Sequence, residues 1–173
     1  FNVWFHETGH MMDDLLQLGK DGFRSSDKPL SANDTFIKAL KKDFANIKKR
    51  IDNQYMDMFE LTKDEYKAKY PTTKAKNKLY RDVLYDELGD NNKTKGIQDV
   101  IEGLSNADIR IIWGHGKQYW NRKNRNEQVA SEAWANICGA YCDTEELKLM
   151  QKYFPEATEE LNTIIKNRLK ELK

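Results

Sequence analysis

Apolar runs are short throughout this sequence. None approaches the roughly 18 residues that a membrane-spanning helix needs, so no membrane insertion is expected. Proline and glycine are scarce, three and nine in 173 residues. The chain therefore has few breakers and reads as helix-rich. An excess of one charge is also missing. Lys and Arg total 29 against 28 Asp and Glu, and a net charge of +1 makes no general electrostatic case for nucleic acid or an anionic membrane. No nucleic-acid partner is expected, and the lysines between Lys38 and Arg50 read as a solvated helix face. The two cysteines, Cys138 and Cys142, suit neither a disulfide along one helix nor a tetrahedral thiolate site, which needs a second pair. Both read as buried, reduced thiols. No signal peptide is seen, but the sequence opens on Phe1 rather than Met. It is read as a piece of something longer, so that absence decides nothing.

Histidine is almost as scarce, with three in the chain, yet two fall in one pentapeptide: HETGH, residues 6 to 10. Residues four apart on a helix lie about 40° apart around its axis, one turn along. Both imidazoles can therefore reach one cation. Glu7, beside His6, points to the side, where it can hold a water at the metal and take its proton during attack on a carbonyl. Phe1, Val3, Trp4, Phe5, Met11 and Met12 flank the motif, so the helix is expected to be apolar almost all round and nearly fully buried. Buried His and Glu need partners. A metal supplies them; the alternative is a pair of core histidines bonded to carboxylates or carbonyls.

A catalytic zinc usually keeps three protein ligands. Asp13 and Asp14 lie too close along the same helix to complete the set and read as supporting or solvent-facing groups. Glu132, in ASEAWANICGAYC, is the better third ligand. It lies among Ala130, Ala133, Trp134, Ala135 and Ile137, where a carboxylate wants a counter-ion. The alternative is a salt bridge to Lys or Arg.

Periodicity predicts helices over about 2–18, 33–60, 74–88, 97–104 and 127–141, with Thr144 capping another to Tyr153 and a final one after Pro155. Gly19 is a stop, followed by a polar loop. Thr62 to Glu65 has the form of a capping box. Phe36, Ile37, Leu40, Phe44, Ile47, Ile51, Tyr55 and Phe59 make a buried stripe. IRIIWGHG, residues 109–116, is the one β-type stretch.

These residues carry a resemblance. His6-Glu7-Thr8-Gly9-His10, followed far downstream by Glu132-Ala133-Trp134-Ala135, resembles a gluzincin-type zincin metallopeptidase. The resemblance implies Zn2+ on His6, His10 and Glu132, with Glu7 as general base. Residues 97–120, 131–142 and 152–157 further resemble metallopeptidase-like domains at the C-termini of bacteriophage minor head proteins. The implied fold is mainly α, a zincin-like helical domain with one short β element around 109–113. It spans 1–173 as a single domain with a helical insertion over about 33–90. Such enzymes place a strand before the metal helix; that strand either lies outside this sequence or is replaced by 109–113.

A zinc peptidase also needs a donor opposite the metal for the developing oxyanion. His115 and Tyr119 are the candidates. His115 has two other readings, a fourth ligand that closes the site or an ordinary turn histidine. Tyr119, Trp120 and Trp134 read as core or pocket wall.

The expected function is zinc-dependent hydrolysis of peptide bonds in a protein or peptide substrate, with phage capsid or host proteins as partners. The alternatives are a structural or interaction domain of a phage minor head or mobile-element protein, and a secreted toxin-like effector. A soluble chain is expected, with virion-associated and cytoplasmic settings both open.

Overall fold

The computed structural model describes residues 3–18, 28–121 and 123–173. Expectations at Phe1, at Gly19 and for the loop up to residue 27 lie outside them. The described chain is mostly helical. In order come α1 (Val3–Leu15), α2 (Asp34–Met58), α3 (Lys63–Lys69), α4 (Thr73–Leu88), α5 (Lys95–Leu104), α6 (Lys117–Trp120), α7 (Arg125–Ala140), α8 (Thr144–Tyr153) and α9 (Pro155–Glu171).

α7 is the centre. Its alanines at 130, 133, 135 and 140 are buried and keep the helix thin, so that α1, α2, α5 and α8 all pack on it. Trp134 fills the middle, edge-on to Phe36 of α2 with ring centroids 5.5 Å apart. The α2 stripe is buried at Phe36, Leu40, Phe44, Ile47 and Ile51, a rhythm of fours and threes that puts one face inward. Phe59, just past the helix end, is exposed instead.

Helix ends follow local chemistry. Thr62 and Glu65 form the expected capping box. Gly89 ends α4 at φ +57°, a conformation that favours glycine. α8 is capped by Asp143 rather than Thr144: its carboxylate accepts from the Glu145 and Glu146 N–H groups. α9 begins with Pro155 in its first turn and is capped from a distance. The buried Asp43 of α2 accepts from the Ala157 N–H at 2.9 Å and the Glu156 N–H at 3.4 Å.

Two further expectations are corrected. First, α1 is not nearly fully buried. Its inward face carries His6, Gly9 and Asp13, whereas Val3, Trp4, Phe5, Met11 and Leu15 are exposed. The polar residues face inward because their partners sit on α7 and in the turn at Leu30–Ala32. Asp13 accepts from the Ser31 N–H at 2.8 Å, so it anchors that turn rather than facing solvent. Beyond the end of α1, Arg168 of α9 donates to the carbonyls of Leu16, Gln17 and Leu18. Second, residues 109–113 are not a strand, and the described residues contain none. The N–H groups of Ile112 and Trp113 both donate to the side-chain carbonyl of Gln98, at 3.0 and 3.1 Å. A side-chain amide therefore takes the place of a neighbouring strand.

The cysteines also differ from expectation. Cys138 is half-buried and Cys142 exposed, both as free thiols. Burial pushes the Cys138 thiol up to about 12, which leaves it protonated and unreactive.

Candidate metal centre

The two histidines of α1 and the glutamate of α7 converge. His6 Nε2 and His10 Nε2 are 3.2 Å apart. Glu132 Oε2 lies 3.3 Å from the first and 3.6 Å from the second. One ligating atom from each of the three residues falls within 4.8 Å of the others. The close crossing of α1 and α7 makes this possible. A β-carbon on Gly9 would sit 2.7 Å from the Ala135 Cα, nearer than real side-chain atoms come to backbone. Glycine at 9 and a small residue at 135 thus bring the helices together beside His10 and one turn from His6 and Glu132.

Neighbouring groups set the orientation of both rings. His6 Nδ1 donates to Asn136 Oδ1 at 3.2 Å. The Asn136 amide is itself fixed, because its Nδ2 donates to the Asp99 carboxylate at 3.3 Å. His10 Nδ1 lies 3.2 Å from Ser131 Oγ. With hydrogens on both Nδ1 atoms, each Nε2 turns a lone pair toward the other and toward a carboxylate. Glu132 Oε2 is buried and faces these two imidazoles. Three electron-rich atoms facing one another require a proton or a cation between them. The set of two imidazoles and one carboxylate is one that zinc accepts, leaving a fourth position open.

Electrostatics agree. Burial alone would raise the Glu132 carboxyl, yet hydrogen bonds from His10, His6 and Tyr119 hold it far below the usual carboxylate range. The hydrogen bond to Glu132 raises the His10 pKa, against the effect of burial. Glu132 is thus an anion in an environment that demands a positive partner.

The segment between α5 and α6 lies beside this cluster, held by three buried polar residues of α5: Gln98, Asp99 and Glu102. Glu102 Oε2 accepts from the Gly116 N–H and from Trp120 Nε1, each at 3.1 Å. Gly114 has φ +148°, and a β-carbon there would lie 1.9 Å from Glu102 Oε2. Only glycine fits. His115 follows, its Nδ1 2.7 Å from Asp99 Oδ1, and that bond raises the His115 pKa against burial. Tyr119 stacks on the His115 ring with centroids 4.0 Å apart and donates its hydroxyl to Glu132 Oε1. Burial, with the help of Glu132, pushes that hydroxyl up to about 12.

A cavity of about 280 Å³ opens next to the cluster, and His6, Glu7, Asp99, His115 and Asn136 all line it. Glu7 is exposed and faces the same space as His115. A larger groove of about 740 Å³ runs beside α2 and α4, lined by Lys48, Lys63, Lys76, Tyr66 and Tyr80, but it holds none of these ligating residues.

All six expected site residues therefore gather in one region. His6, His10 and Glu132 form the cluster, Glu7 and His115 border the cavity, and Tyr119 bonds a Glu132 oxygen. Asp14 is exposed on the outer side of α1. Asp99, Glu102, Asn136 and Ser131 are additional. Asp99 and Glu102 carry the same signal as Glu132, an acid among apolar residues of one helix, in QDVIEGL. Asn136 and Ser131 carry no such signal. Comparisons with protein-family models, curated proteins and solved structures gave no match for this chain.

Proposed function

We propose that this chain is a zinc-dependent peptidase, with His6, His10 and Glu132 holding the metal. The observation that carries this reading is the convergence of His6 Nε2, His10 Nε2 and the buried Glu132 Oε2, with one ligating atom from each residue within 4.8 Å of the others. Zinc held there would supply Lewis acidity toward a peptide carbonyl and an attacking water.

The remaining work falls to the chain. The Glu7 carboxylate takes a proton from the attacking water and returns it to the nitrogen of the leaving amine. His115, whose pKa the bond to Asp99 raises, faces the cavity and offers its ring N–H to the developing oxyanion. The Tyr119 hydroxyl holds Glu132 Oε1 and so fixes the ligand carboxylate. Asn136 and Ser131 fix the two imidazoles. The substrate is a protein or peptide whose extended backbone reaches the 280 Å³ cavity.

A second reading has one observation in its favour. Trp4 is 82% exposed and Val3 60%, an apolar surface beside the site that suits contact with another protein. In that reading the domain is an interaction module, of the kind found in phage minor head or mobile-element proteins, and the metal is structural. Elemental analysis of the purified protein, followed by cleavage of an unstructured protein by wild type and Glu7→Gln, separates the two. Zinc with cleavage lost in Glu7→Gln supports the peptidase. Zinc with no cleavage by either supports the interaction module.

A further inference from the structure

We propose that the chain takes a second divalent cation beside the first, held by Asp99, His115 and Glu132, with Glu132 shared between the two positions. One ligating atom from each of these residues lies within 4.8 Å of the other two, the same closeness as in the His6–His10–Glu132 set. The three come from separate elements: Asp99 from α5, His115 from the segment pinned by Gln98 and Glu102, and Glu132 from α7.

Chemistry favours a cation here. Asp99 is 7% and Glu132 6% exposed, so two carboxylates share a space with little water. An ion on the histidine pair touches Glu132 and not Asp99, which leaves the Asp99 carboxylate to the His115 ring and the Asn136 amide. Glu132 has an oxygen for each position. Oε2 faces the imidazole pair, and Oε1 faces Tyr119 and the His115 side of the cluster. A carboxylate placed in this way can clamp two ions, as in two-metal hydrolytic sites. The hydrogen that His115 Nδ1 now offers to Asp99 marks where a cation would bind instead, and binding there displaces that hydrogen and leaves the one on Nε2 in place. The cavity lined by Asp99, His115, His6 and Glu7 gives solvent ions a way in. The positive charge opposite the first metal is then supplied by a metal rather than an imidazolium. One imidazole and two carboxylates form a set that accepts zinc or manganese.

This inference rests on the histidine pair being a metal position, and the experiment keeps the two apart. The full chain is dialysed against Zn2+ and the bound metal counted by elemental analysis, for wild type, His6→Ala, Asp99→Asn and His115→Ala, with folding checked by circular dichroism. Wild type is expected to hold two equivalents, and Asp99→Asn and His115→Ala one each. One equivalent in wild type, lost in His6→Ala but kept in Asp99→Asn, overturns the second position and leaves the first standing. No zinc in wild type overturns both. Two equivalents retained in Asp99→Asn and His115→Ala also overturn this assignment. Wild-type protein loaded with Co2+ gives a check without mutation. Magnetic coupling between two cobalt ions is expected as the second equivalent is added, and uncoupled spectra at two equivalents overturn the shared carboxylate.

Discussion

Gly9 and Ala135 meet at the crossing of α1 and α7, where a β-carbon on the first would approach the Cα of the second to 2.7 Å. The obstacle is backbone, so it cannot swing aside. Gly9→Val is expected to lower stability by about 1–3 kcal/mol, the usual cost of overpacking, and to weaken zinc binding more than stability alone accounts for. Thermal melts with and without zinc measure both effects. Wild-type zinc affinity in a destabilised Gly9→Val would detach the crossing from the metal centre.

Asn136 sets the hydrogen on His6 Nδ1 and thereby the lone pair on Nε2. Asn136→Leu preserves bulk and removes that control. Zinc affinity is expected to fall by about 10- to 100-fold, the range for groups that orient a metal-binding imidazole. Competition with a chromophoric chelator measures it, and an unchanged affinity would mean that the amide does not set the ring.

Acid should weaken the centre in a defined direction. The His10 pKa is raised above 6.5 by its hydrogen bond to Glu132. Without metal, that pair stabilises the fold fully below its unfolded pKa, and its contribution fades as pH rises through the folded value. Zinc requires the neutral ring, so its stabilisation runs the other way. The rise in Tm on adding zinc is expected to be small near about pH 5.5 and to grow by about pH 7.5, across the histidine range. A rise that stays constant or shrinks would be inconsistent with a histidine-held ion.

Gly114 is the position that the buried Glu102 makes intolerant. Gly114→Ala introduces a carbon at 1.9 Å from Glu102 Oε2 on a backbone at φ +148°. The 110–116 segment is expected to shift, and His115 with it. If His115 takes part in turnover, peptide cleavage drops by at least about tenfold, the lower side of what one oxyanion donor contributes, with the zinc bound by His6 and His10 unchanged. Cleavage at the wild-type rate would exclude His115 from the chemistry.

Asp43 reaches from α2 to the first N–H groups of α9. Asp43→Ala removes a cap and leaves buried donors without an acceptor. The expected cost is about 1–3 kcal/mol, read as a lower denaturant midpoint with zinc stoichiometry intact.

Much of the helical order is legible from periodicity, because the α2 stripe and the Thr62–Glu65 capping box depend on neighbours a few residues away. The candidate ligand cluster is legible for a similar reason: HETGH is local, and Glu132 is conspicuous among alanines. What sequence alone conceals is long-range. The β-like run 109–113 has the composition of a strand, but Gln98 satisfies its amides, and nothing in IRIIW announces a partner on another helix. The apolar residues of α1 suggest burial by type, while the inward face goes to His6, Gly9 and Asp13 because their partners lie on α7 and at Ser31. Asn136 does its work through contacts to residues 130 and 37 positions away in the chain, and an asparagine in an alanine-rich helix carries no mark of that role.

Arg168 grips the carbonyls that follow α1 from the last helix. During synthesis, His6 and His10 leave the ribosome well ahead of Glu132, and Arg168 follows later still. A nascent chain can present the imidazole pair long before anything closes around it. The cluster therefore closes only once α7 has been made and has docked on α1, and any metal it takes up would report that docking.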